Sequence, residues 1–195
     1  MQDRSTTMAG AEIVALLLVL LIVVILAAWV LGTYNRIIRL ENQIKNAWGQ
    51  IDVQLRRRGD LIPNLVETVK GYAAHEKGVF ESVSKARAAM LGAKTPEDRM
   101  AADNMLSGTL KTLFAVAENY PQLKANTNFL QLQDELSHTE NNVAFSRQHY
   151  NDTVTTYNIT IETFPGIIFA SMFEKQSKPV LEAPAATREV PKVQF

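Results

Sequence analysis

The residues with the most evident chemical potential are Glu135-Leu136-Ser137-His138, a Glu-x-x-His that shares one helix face. Two such motifs on facing helices, with two further glutamates, build a di-iron or di-manganese carboxylate site. Only one is present: neither His75 nor His149 follows a glutamate at that spacing. Asp134 and His138, four apart, read instead as an ordinary surface pair, so no metal and no cofactor is expected. With no cysteine in the chain, thiol catalysis, disulfides and thiolate metal sites are excluded. Phosphate-cradling glycine loops, nucleophile elbows and zinc spacings are missing too. No catalytic residue is assigned, and the chain reads as a non-enzyme.

Other polar residues stand out by position. Glu76 interrupts the apolar heptad that surrounds it, and Thr139 and Ser146 fall beside the main stripe of the last long helix. They form a candidate polar core layer that fixes register, or mark a hydrated part of the core. Arg56, Arg57 and Arg58 read as a solvated helix terminus, with an acidic partner as the alternative. Asn151-Asp152-Thr153 and Asn158-Ile159-Thr160 match a glycosylation pattern that is accidental within a helix. The 20 basic and 20 acidic residues balance, so no global field draws the chain to nucleic acid.

The elements that carry these residues follow from periodicity. Ile13 to Leu31 is an unbroken apolar run of nineteen residues, about 28 Å at ~1.5 Å per residue and enough to span a bilayer core. It is longer than the apolar part of a secretory signal and lacks a small-residue cleavage site. Residues 1–12 are a short tail, 13–31 a transmembrane helix, 32–174 a helical domain and 175–195 a proline-containing extended tail. Arg36, Arg39 and Lys45 outnumber Arg4 and the terminal amine, a bias that places the domain in the cytoplasm and the short N-terminus outside.

Within the domain, Ile37, Ile44 and Ile51 keep a seven-residue beat. Arg56 to Gly59 predicts a helix end there, with a second helix starting near Asp60 because Pro63 is tolerated only in a first turn. Ile62, Leu65, Val69, Tyr72, Val79, Val83, Ala86 and Met90 then form one stripe up to Leu91-Gly92. Thr95-Pro96-Glu97-Asp98 predicts an N-cap and first turn, and Tyr120-Pro121 the end of that helix. Phe129, Leu136, Val143, Tyr150, Tyr157 and Phe164 recur every seven residues. Strand signals are missing. The expected fold is all-α: one transmembrane helix continuing into an antiparallel bundle of about four helices.

Phe164-Pro165-Gly166 breaks the last helix and precedes an apolar cluster, Ile167, Ile168, Phe169, Met172 and Phe173. Counting helices out from and back to the membrane puts this cluster on the membrane-proximal side. It folds over the bundle end, contacts lipid or meets another subunit. Val193 and Phe195 restore apolar character to the tail and are further candidate contacts.

The stretch Ala47-Trp48-Gly49-Gln50-Ile51-Asp52-Val53-Gln54-Leu55-Arg56-Arg57-Arg58 and then Asp60-Leu61-Ile62-Pro63-Asn64-Leu65-Val66-Glu67-Thr68-Val69-Lys70-Gly71-Tyr72 resembles the LemA family. So do Tyr120-Pro121-Gln122-Leu123-Lys124-Ala125-Asn126, Glu140-Asn141, Tyr150-Asn151, Tyr157-Asn158 and Phe164-Pro165, with Gly49 where a serine is usual. The resemblance implies a bacterial inner-membrane protein with an N-terminal anchor, a helical bundle and a short tail outside the cytoplasm. It implies no reaction; members are discussed in connection with membrane organisation, and some lie beside membrane proteases in genomes. The expected function is a membrane-anchored, self-associating scaffold with the lipid bilayer and copies of itself as partners. An adaptor or regulator of another membrane protein, such as a membrane protease, is the alternative.

Overall fold

The computed structural model describes residues 3–182, with side chains from Leu16 onward. Among the described residues every regular element is helical: α1 (Asp3–Lys70), α2 (Lys77–Gly92), α3 (Pro96–Ala117), α4 (Pro121–Lys124), α5 (Thr127–Glu162) and α6 (Gly166–Met172). The four long helices are those expected of a bundle, and α4 and α6 are short additions. The chain divides into two compact units. One holds α1 up to Asn42 with Thr156–Lys178; the other holds Gln43–Thr155 and the segment from Pro179.

In the first unit the apolar side chains from Leu16 to Leu26 are all exposed, on a helix long and apolar enough to cross a membrane. Beyond them Ile37, Leu40, Tyr157, Ile161, Phe169 and Ala170 are buried. In the second unit the buried apolar residues include Ile44, Ile51, Leu55, Ile62, Leu65 and Val69 of α1, Val83 and Met90 of α2, Leu106 and Leu113 of α3, and Leu136, Val143 and Val154 of α5. Thr95 caps α3 by accepting from the Asp98 backbone N–H at 3.1 Å, with Pro96 in the first turn, as its sequence predicts.

The expected break at Gly59 is absent. Helix α1 continues through Gly59 and Pro63 and ends only at Lys70, and the turn falls at Gly71–Glu76. A proline inside a helix frees the carbonyl four residues earlier and costs about 3 kcal/mol. Here that carbonyl belongs to Gly59, and it accepts a hydrogen bond from Arg87 Nε of α2 at 2.6 Å. The missing backbone donor is thus replaced by a guanidinium from the neighbouring helix. Gly59 serves packing rather than capping: a Cβ there would lie 3.2 Å from Leu91 Cδ2 and 3.3 Å from Met90 Cε. The stripe expected of one second helix is therefore shared by two, and Tyr72, in the turn between them, is exposed.

Candidate functional site

The three consecutive arginines part company because α1 sends them to different faces. Arg56 pairs with Asp52 one turn back at 2.9 Å, and Arg57 with Glu135 of α5 at 2.7 Å. Arg58, only 1 % exposed, donates from Nη1 to Asp103 Oδ1 of α3 at 2.7 Å, and its Nη2 lies 3.4 Å from Glu140 Oε2. Burial pushes the Asp103 carboxyl above the ordinary carboxylate value, against the pull of the Arg58 charge. Asp52 also accepts from Arg99 Nη1, whose Nη2 reaches the Leu91 and Ala93 carbonyls at 3.2 and 3.3 Å. The polar layer of this bundle is therefore ionic, and it ties α1 to α3 and α5.

The polar residues expected from sequence differ in their burial. Glu76 precedes α2 and is half-buried, 3.5 Å from the Tyr120 hydroxyl. It lines an open depression with His75, Ser82, Thr109 and Thr112. Thr139 is buried, and its hydroxyl donates to the Leu136 carbonyl of its own helix at 2.8 Å. Ser146 is half-buried and lines a second shallow depression with Lys45, Gly49, Gln50, Val53 and Gln54. Val53 is exposed there, and Phe145, the residue before Ser146 on α5, is 72 % exposed. Glu135 and His138 are engaged at the surface, His138 with Asp134 at 3.5 Å.

The apolar segment after α5 belongs to the first unit. Its placement depends on Gly166, where a Cβ would fall 1.8 Å from the Thr160 carbonyl oxygen. Only glycine lets α6 turn back this closely on the end of α5. Phe169 and Ala170 are buried, whereas Ile167, Ile168, Met172 and Phe173 are exposed. Phe164 packs on Trp29 with ring centroids 5.8 Å apart, and Phe173 on Tyr34 at 4.9 Å. Glu174 (φ 51°) closes α6 in the left-handed conformation, and the Lys175 backbone N–H reaches the Ala170 carbonyl at 2.8 Å. Lys175 Nζ then binds both Glu41 oxygens, at 3.0 and 2.9 Å.

The segment that follows is held by asparagines. Asn158 donates to the Lys178 carbonyl at 2.8 Å and accepts from the Lys178 N–H at 2.9 Å. In the other unit Asn151 does the same with Leu181, at 2.9 and 2.8 Å. Each side-chain amide acts as a strand-like partner for one backbone residue. Tyr157 donates to Glu41 at 3.4 Å, and its phenol is pushed up to about 12 by burial, then by the Glu41 charge and hydrogen bond. Val193 and Phe195 lie outside the described residues.

Sequence reasoning passed over Asp103, misread Arg58 as part of a solvated helix terminus when it is buried within a continuous α1, and gave Asn151 and Asn158 no structural part. A signal existed for the first two. Arg58 stands between Leu55 and Ile62 on the apolar stripe of α1, and Asp103 between Met100 and Leu106 on that of α3. Opposite charges on two buried stripes can be retained only as a pair.

Fold and site together define an all-helical protein with a helix long and apolar enough to cross a membrane at its N-terminal end. The LemA family model matches residues 47–195. The chain belongs to the LemA family. It is 26 % identical over 137 residues to Protein LemA of Metamycoplasma hominis, covering 68 % of this chain and 61 % of that protein. It is 24 % identical over 195 residues to Magnetosome protein MamQ 2 of Paramagnetospirillum magneticum, covering 84 % and 72 %. It is 22 % identical over 158 residues to Magnetosome protein MamQ of Magnetospirillum gryphiswaldense, covering 68 % and 58 %. The chain thus spans about three fifths of the first relative's length.

Proposed function

We propose that this protein is a membrane-anchored scaffold that self-associates through a face of its helical bundle and carries out no reaction of its own. The observation that carries this reading is the exposed Val53, which lines an open depression with Gly49 and Ser146, together with Phe145, exposed on α5 next to Ser146 in the chain. Exposed large aromatics beside a groove are the kind of anchor that buries at the centre of protein interfaces. Kinship with proteins named for the magnetosome supports a part in an assembled structure. Of the groups with perturbed titration, Asp103 and Tyr157 are engaged in internal pairing, which suits structural roles. The bacterial inner membrane, with the bundle on the cytoplasmic side, is the setting this reading takes from the charge flanking the anchor.

Light scattering of the full-length protein in mild detergent tests the proposal. A uniform assembly that Phe145→Glu reduces to smaller species is the supporting result. A monomer at every concentration overturns it. The second reading, an adaptor for another membrane protein, uses the same exposed face for a foreign partner. Photocrosslinking from position 145 in native membranes separates the two: one dominant heterologous product would favour the adaptor.

A further inference from the structure

We propose that helix α6 and its flanking aromatics lie in the lipid interface beside the transmembrane helix, so that the protein contacts one leaflet through a second, monotopic element. This rests on the reading of α1 as a membrane anchor, and it assigns the exposed face of α6 to lipid rather than to a second copy of the chain.

Position along α1 fixes the depth. Trp29 lies within the apolar run and Tyr34 three residues beyond its end, about 7.5 Å apart along the axis at ~1.5 Å per residue. Phe164 touches the first ring and Phe173 the second. The segment between them is therefore held at the level where the hydrocarbon gives way to headgroups, the level amphipathic aromatic rings prefer. If Trp29 is in the membrane boundary, Phe164, largely exposed beside it, is there too.

Composition agrees with depth. From Thr163 to Phe173 there is no charged residue. Gly166, Phe169 and Ala170 face inward, and the outward face carries Ile167, Ile168 and Met172, with Ser171 its one polar residue. A helix lying in water on a protein surface keeps a polar outer face; one apolar on both sides needs an apolar medium outside. Charges return at the other side of the segment, where Glu174 and Lys175 follow Phe173 and Lys175 is tied to Glu41. This gives an apolar face flanked by polar groups, as expected of an interfacial element. The Thr160 carbonyl beside Gly166 leaves no room for a side chain, so the backbone itself fixes this placement.

The absence of cysteine allows single-site labelling of the otherwise native full-length chain. Variants Ile168→Cys, Met172→Cys, Leu21→Cys and Met105→Cys are each labelled with an environment-sensitive fluorophore and reconstituted at low protein density into phosphatidylcholine–phosphatidylglycerol vesicles, with and without brominated acyl chains. The expected result is several-fold quenching at positions 168 and 172, as at position 21, with position 105 unquenched and open to aqueous iodide. Quenching at 21 with iodide access at 168 and 172 equal to that at 105 overturns the interfacial placement alone. Loss of quenching at 21 overturns the anchor as well. Shielding at 168 that vanishes on dilution to one copy per vesicle assigns the face to a second chain and overturns the proposal. Gly166→Ala in the Ile168→Cys background should abolish quenching at 168 while leaving that at 21 unchanged.

Discussion

At the scale of single residues, the Arg58–Asp103 pair decides how the bundle unit responds to substitution. Both side chains are nearly inaccessible, so removing one leaves the other as a buried, uncompensated charge. Asp103→Ala is expected to lower unfolding free energy by about 3–5 kcal/mol, whereas Arg58→Met with Asp103→Leu should cost much less. Urea titration of the wild type, Asp103→Ala and the double variant reads both values. Tyr157 gives a pH-dependent counterpart. Its folded-state phenol is raised from 10.0 to about 12, so the folded protein holds its proton where the unfolded chain has lost it. The stability this contributes is full below pH 10 and is lost as pH rises towards 12. Tyr157→Phe should flatten that alkaline decline, measured as the difference in thermal midpoint between the two proteins from pH 9 to 12. Side-chain pairing of this kind was only partly legible in sequence. Arg58 and Asp103 betray themselves as charges on apolar stripes. Asn151 and Asn158 carry no such mark, because the backbone they grip is distant in sequence and has no side-chain pattern to match.

At the scale of elements, helix ends with a local chemical cause were legible and those decided by tertiary contacts were not. Thr95-Pro96 starts α3 and Tyr120-Pro121 follows its end because capping and proline act on the nearest turn. Gly59 and Pro63 looked like a stop and a start because, on their own, they are. The donor that compensates Pro63 sits on Arg87, twenty-eight residues from the carbonyl it satisfies. Arg87→Ala should therefore cost about 1–3 kcal/mol by leaving the Gly59 carbonyl without its partner. With Pro63→Ala the helix supplies its own N–H to that carbonyl, and the cost of losing Arg87 should shrink. The coupling in a double-mutant cycle, followed by urea titration, measures how far the guanidinium substitutes for the backbone donor. Glu174 offers a converse test: as a non-glycine residue in the left-handed region, it should gain about 1 kcal/mol on replacement by glycine, read as a higher thermal midpoint in detergent.

At the scale of the whole molecule, the all-helical architecture followed from stripes of period seven, and the anchor from a nineteen-residue apolar run. The exposed surface on which the proposed function rests was less legible. Heptad spacing marks Leu136 and Val143 as inward, but it does not reveal that Val53 lines an open depression formed by α1 and α5, or that Phe145 stands exposed on α5. The scaffold proposal depends on that exposed surface. The most direct measurement is the molar mass of the full-length protein in mild detergent, by light scattering across a hundredfold range of concentration, beside Phe145→Glu. The expected result is one large, uniform species that persists on dilution and falls to smaller forms in the variant with helicity unchanged. A wild-type protein that is monomeric throughout, and indistinguishable from the variant, would contradict self-association and leave the bundle face to a foreign partner.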